Sequence, residues 1–191
     1  MKKINLNLLL AIFSLFCIAC RPSNNVVNAE EDNEKIYQDY IKQMSGKYKQ
    51  KMAVDVDIHL LDGKTVKLSE YQGKTVLLNF WFINCPPCLT EIASLNELQR
   101  NYKNKDVVVI SVALDDVERL KYVTEAKGVE YLVGANGKDQ STAYGVTVFP
   151  TSFLIDKKGI VQEVFVGASD WDATYTYTEI KPYLEKLLQT P

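Results

Sequence analysis

Cys85 and Cys88 stand two residues apart, directly after the apolar run 75–82 and directly before a helix-patterned stretch, 89–102. A strand must therefore end and a helix must begin around the segment WFINCPPC, residues 81–88, which fixes a strand–helix junction near the middle of the chain. The junction also sets the chemistry of the thiols. Free amides and the macrodipole at a helix N-terminus favour an anion, so a cysteine there ionises below its usual pKa of about 8.5. Cys85 is placed to attack as thiolate, and Cys88, one turn on, to resolve the resulting mixed disulfide.

Two other uses of such a pair are a permanent staple and half of a zinc site. A loop of four residues restrains little chain entropy, so a staple there adds little stability. Zinc usually takes four Cys or His ligands, and this chain has no second CxxC and one histidine, His59. His59 itself reads as a solvated strand residue, and no metal and no cofactor is expected.

With 191 residues and 47% hydrophobic content, the chain can form one domain with a substantial core, plus extensions. Residues 1–19 read as a signal peptide: Lys2 and Lys3 precede an apolar stretch, 8–19. The segment ends Cys17-Ile18-Ala19-Cys20 and resembles a bacterial lipoprotein signal, in which the cysteine after a small residue is lipidated and becomes the first residue. That resemblance makes Cys20 the lipid anchor, although Cys17 stands where such signals usually carry leucine. An uncleaved membrane anchor is the alternative, since residues 4–20 lie at the short end of a span. With Cys17 removed and Cys20 capped, Cys85 and Cys88 are the free thiols of the mature chain. Loss of residues 1–19 leaves 20 basic against 24 acidic side chains, and nothing points to nucleic-acid binding.

Residues 20–52 are polar and charged and are expected to form a tether from the lipid; the alternative is a loose helix over 39–47 with Tyr37, Tyr40, Ile41 and Met44 on one side, docked on the domain. The folded domain is expected over 53–191. Alternation over 54–60, the Asp62-Gly63 turn and residues 65–68 predict a β-hairpin. A strand over 75–82, a helix over 87–102 and a strand over 106–114 follow. Next come a helix over 116–127 stopped by Gly128, a strand over 130–133, and a brief helix over 139–144 behind the breakers Gly134 and Gly137. Strands over 151–156 and 160–166 form a second hairpin, and a helix from about 175 to 189 closes the chain, with Pro182 expected to delay its start. Strand–helix–strand units followed by a hairpin and a helix give an α/β fold, a mixed central sheet with helices on both faces.

Three stretches in order, LDGKTVKLSEYQGKTVLLNF, LNFWFINCPPCLTEI and GVTVFPTSFLIDKKGIV, resemble the TlpA/ResA-like thiol-disulfide oxidoreductases of the thioredoxin superfamily. The likeness covers roughly residues 54–188. It implies a thioredoxin-like fold with an N-terminal β-hairpin, and a redox-active disulfide between Cys85 and Cys88. It implies a cis peptide before Pro150, which sets Phe149 and Thr151 against the dithiol to bind substrate, with Trp81 beside them. It also implies a proton-exchange role for Glu91, chiefly with Cys88, although a first-turn glutamate is favoured by the helix dipole in any case. Asn79 stands where cytoplasmic thioredoxins keep a buried aspartate. Asn84 replaces the tryptophan that usually precedes the first cysteine, and the alanine-proline that often opens such domains is missing before Val54.

The activity this implies is reduction of disulfides in exported proteins, apocytochromes c being candidate clients, with electrons from a membrane partner. The enzyme would sit lipid-anchored in the bacterial cell envelope, facing the periplasm or the cell exterior. A disulfide oxidase or isomerase would use the same residues in the opposite direction. A peroxiredoxin would need a threonine in the loop before its reactive cysteine, and Phe82-Ile83-Asn84 has none. A copper-binding assembly factor would use both thiolates as soft ligands and recruit a histidine. Pro86 and Pro87 lack N–H groups, so the Cys85 thiolate has few donors and the pair is expected to act as a reductant or a moderate exchanger.

Overall fold

The computed structural model describes residues 24–167 and 175–189, so the signal segment and Cys20 lie outside the described residues. Helix α1 (Asn24–Tyr48) is followed by strands β1 (Asp57–Leu60), β2 (Thr65–Lys67) and β3 (Thr75–Trp81), then helix α2 (Pro86–Tyr102) and strand β4 (Val107–Ala113). Helix α3 (Val117–Lys127), strand β5 (Leu132–Ala135) and helix α4 (Lys138–Ala143) come next, and β6 (Thr151–Ile155), β7 (Val161–Val166) and α5 (Tyr175–Leu188) complete the order.

The strands form one seven-stranded sheet in the order β2-β1-β5-β4-β3-β6-β7. β3 runs parallel to β4 and antiparallel to β6, and the β1–β2 hairpin joins the sheet through antiparallel pairing of β1 with β5. Every residue of β3 is buried, as a central strand covered on both faces requires. Its alternate side chains serve two layers. Leu77 packs with Leu95 and Leu98 of α2 and Ile180 and Leu184 of α5 on one face. On the other, Phe80 meets Tyr144 and Phe153 in tilted and edge-on contacts. Asn79 lies on the α2 face, in register with Ser152 of β6.

Most expected elements form within two residues of their expected ends, and the departures have identifiable physical causes. The strand expected over 130–133 begins two residues later, because the Glu130 amide donates to Asn96 Oδ1 of α2 instead of a neighbouring strand. Gly134, expected as a helix breaker, is inside β5. A Cβ there would come within 2.5 Å of Ile58 Cγ2, so glycine permits the close approach of β1. Pro182 does not delay α5; it lies on the helix's exposed side, well after the first turn.

The largest departure is the expected tether. Residues 24–48 are helical, and tertiary contacts divide the chain between Tyr40 and Ile41, so the compact unit containing the sheet begins at residue 41 instead of 53. Met44 and Tyr48 are buried in that unit. The Tyr48 hydroxyl donates to the Tyr144 carbonyl at 2.6 Å, and its ring meets Phe153 edge-on. A few well-placed apolar contacts thus anchor a helix whose composition is otherwise polar. Among the described residues, no helix is long and apolar enough to cross a membrane.

Candidate active site

The site is built where β3 gives way to α2. β3 ends at Trp81, and the chain turns through Phe82, Ile83 and Asn84, with the Ile83 amide held by Asp115 Oδ2 at 2.7 Å. Cys85 is the N-cap of α2 in an extended conformation, and Pro86 and Pro87 occupy the first helical turn, where a missing N–H costs nothing. Cys85 and Cys88 are joined by a disulfide. The Cys88 amide donates to Cys85 Sγ at 3.3 Å, while the two intervening prolines have no amide to offer. In this oxidised form both cysteines are covered, with Cys85 4% and Cys88 1% exposed.

Trp81 packs against both cysteines together with Ala113, Leu120 and Val133. It is 2% exposed and its indole Nε1 has no partner. The expectation that Trp81 binds substrate is therefore corrected: it backs the disulfide from inside the core and presents no surface.

Glu91, one turn beyond Cys88 on α2, is 4% exposed. Burial pushes its carboxyl up from an ordinary 4.5 to about 8, against the opposing hydrogen bonds of Asn79 and Thr176. Asn79 Nδ2 donates both to Glu91 Oε1 at 2.8 Å and to Ser152 Oγ at 3.0 Å, and Thr176 Oγ1 of α5 lies 3.4 Å from Glu91 Oε2. At neutral pH this carboxyl is mostly protonated. Asn79 thus holds the Glu91 carboxyl in place by a hydrogen bond. Ser152 and Thr176 are missed by sequence reasoning. Ser152 follows Pro150 by two residues, and strand alternation with Asn79 could have found it; nothing near the motif points to Thr176.

The Phe149–Pro150 peptide is cis. Phe149 is half-buried and meets Phe82 edge-on at 5.4 Å, so an aromatic pair flanks the dithiol. Pro150 is buried, and the Thr151 side chain is turned inward to the Val148 carbonyl at 2.8 Å. Of the residues expected to meet substrate, Phe149 is the one with appreciable side-chain surface.

His59, weighed as a third metal donor, is on β1, and its ring pairs with Thr65 Oγ1 at 2.9 Å. Strands β5 and β4 lie between β1 and β3, which puts it three strand spacings, about 14 Å, from the strand that leads to the dithiol.

Together these groups can exchange a disulfide with another thiol pair and hold a proton beside it. The Redoxin family matches residues 46–180. The thiol-disulfide oxidoreductase ResA of Bacillus anthracis is 36% identical over 129 residues, covering 66% of this chain and 71% of the relative. ResA of Geobacillus thermodenitrificans is 34% identical over 137 residues, covering 71% and 75%. Among solved structures, a Chlorobium tepidum protein assigned as a thiol:disulfide interchange protein DsbE is 30% identical with a TM-score of 0.67, covering 73% of this chain and 97% of that one.

Proposed function

Because this chain belongs to the Redoxin family and is a thiol-disulfide oxidoreductase of the ResA type, we propose that it works as an electron donor, reducing disulfides in exported proteins, with apocytochromes c as candidate clients. The observation that carries the direction is the donor-poor environment of Cys85. Its Sγ accepts from the Cys88 amide, and Pro86 and Pro87 add nothing, so the reduced form gains little of the thiolate stabilisation that makes a strong oxidant.

In the reaction, the Cys85 thiolate attacks a client sulfur, the client disulfide breaks, and the leaving client thiolate takes a proton from solvent. Cys88 then gives its proton up to solvent and attacks Cys85 Sγ; the mixed disulfide breaks, and the second client sulfur leaves and is protonated from solvent. Two electrons have passed from Cys85 and Cys88 to the client. Resetting needs a dithiol donor, here a membrane partner. Its thiolate attacks Cys85 Sγ, the internal disulfide breaks, and Cys88 leaves as a thiolate that takes the Glu91 proton; the donor's second thiolate then breaks the mixed disulfide and Cys85 leaves as a thiolate. A carboxyl held at about 8 carries that proton at neutral pH. Phe149, with the backbone at Pro150 and Thr151, forms the surface on which a client strand would rest beside the sulfurs.

The N-terminal signal and lipidation of Cys20 would hold the domain at the bacterial cell envelope, facing the periplasm or the cell exterior. Cys20→Ala should release the protein from the membrane fraction; retention would refute the lipid anchor. The direction is tested with a purified apocytochrome c presented in disulfide and dithiol forms. The reduced enzyme should generate client thiols faster than the oxidised enzyme removes them, and Cys85→Ser should do neither. Faster removal would make the protein an oxidase.

A further inference from the structure

Once Glu91 has given its proton to Cys88 it is a buried carboxylate, and burial favours the return of a proton to it. We propose that the Thr176 hydroxyl of α5 is the positioning and relay group through which Glu91 is reprotonated, from solvent in the cleft between α5 and strands β6 and β7. This rests on the reading of Glu91 as the proton partner of Cys88.

Three features of the geometry carry it. Asn79 Nδ2 donates to Oε1, which leaves Oε2 as the oxygen that bears the acid proton. Oε2 is the oxygen beside Thr176 Oγ1, and a hydroxyl can accept one proton while passing on its own. Glu91 and Thr176 both line a cleft of about 70 Å³, with Pro150, Ser152 and Gly167 in its walls, and the exposed Glu179, one turn beyond Thr176, marks where it meets solvent. That volume admits several waters, since about 10–15 Å³ of this kind of space holds one.

Among the described residues, few other groups near the carboxyl can take part. Tyr131, just ahead of β5, is a titratable side chain that senses Glu91, and burial holds its hydroxyl well above the usual range, so it stays neutral. Cys88 is on the same helix, Glu179 sits at the mouth, and β6 and β7 contribute uncharged Ser152 and Phe165.

The step balances without a further reactant. A dithiol's thiolate attacks Cys85 Sγ, the Cys85–Cys88 bond breaks, and its electron pair leaves on Cys88 Sγ. The Glu91 carboxyl proton moves to that sulfur. The carboxylate then takes the Thr176 hydroxyl proton at Oε2, Thr176 takes one from cleft water, and bulk solvent neutralises the hydroxide; the dithiol's second thiolate displaces Cys85, which leaves as a thiolate and completes the reduction.

The test is stopped-flow reduction of the full-length protein by dithiothreitol from pH 5 to 9, in H2O and D2O, followed by the fluorescence of Trp81, which packs on the cysteines. Thr176→Val keeps the shape and removes the hydroxyl. It should slow reduction by about 10-fold or more above pH 8, where Glu91 has lost its proton and must regain one from the cleft before Cys88 can leave, and should enlarge the solvent isotope effect there, and Thr176→Ser should restore both. Thr176→Ala, which opens space instead of filling it, should lose rate in the same way, so a packing fault in the valine variant would not decide the matter. If Glu91→Gln loses the pH-dependent limb while both hydroxyl-free variants match the wild type, the relay is refuted and the Glu91 reading stands. If Glu91→Gln keeps the limb, the underlying reading fails and the relay fails with it.

Discussion

Replacing Glu91 by glutamine should make the protein more stable at neutral pH, although it removes a group proposed to serve the reaction. The unfolded chain loses this proton near 4.5 and the folded protein near 8. Between those values the native state binds a proton that the unfolded state has lost, so folding stability falls by about 1.4 kcal/mol per pH unit as pH rises. The carboxyl's contribution is fully present below 4.5. About 3 kcal/mol of it is gone at pH 7 and about 4 kcal/mol at pH 8, and the loss levels off near about 5 kcal/mol above that. Glutamine can accept from Asn79 and donate to Thr176, so it keeps both contacts without a charge to bury. The assay is urea unfolding of the oxidised wild type and Glu91→Gln at fixed pH values from 4.5 to 9, where taking the difference cancels every other titrating group. The variant's relative stability should climb by about 3 kcal/mol from pH 4.5 to 7 at unchanged m and level off above 8. A difference that stays flat, or that narrows as pH rises, would refute the picture of a carboxyl buried at the cost of its ionisation.

Cys88→Ser should leave Cys85 able to attack and unable to be released, so client mixed disulfides accumulate on non-reducing gels; the same gels should show none for Cys85→Ser. Gly137→Ala places a Cβ against Val112 Cγ1 and within 2.9 Å of the Ala113 carbonyl, in a core without slack, and should cost about 1–3 kcal/mol in urea unfolding. Tyr48→Phe removes a buried hydrogen bond to the Tyr144 carbonyl and should cost about 1 kcal/mol. An unchanged midpoint would mean that the end of α1 does not belong to the domain's core.

How far the fold could be read from the chain depended on whether the deciding contacts were local. β3 and β4 were legible because a doubly covered strand must be apolar throughout, and α3 because Asp116 caps its start and Gly128 ends it in the left-handed conformation. α1 was legible only as the loose helix weighed over 39–47, because its burial rests on Met44 and Tyr48, and Tyr48 meets Tyr144, 96 positions away. Gly134 misled for a related reason: the close approach of Ile58 that requires glycine exists only once β1 has crossed to β5.

In the site, the dithiol junction lay within one motif, whereas the pairing of Asn79 with Glu91, 12 residues apart, emerges only in the structure. Trp81 was misplaced because proximity to a cysteine in sequence says nothing of which side of the sulfur a ring occupies. Thr176 lies 85 residues from Glu91 and touches it only through the packing of α5 on α2, a contact that no local pattern records.

The central claim, that Cys85 and Cys88 donate electrons, is tested most directly by the reduction potential of this pair, measured by equilibration with glutathione and dithiothreitol buffers and read from Trp81 fluorescence. With the Cys88 amide as the backbone donor to Cys85 Sγ and prolines at both intervening positions, the potential should lie at or below about −220 mV. A value near about −120 mV, that of a strong oxidant, would contradict the account.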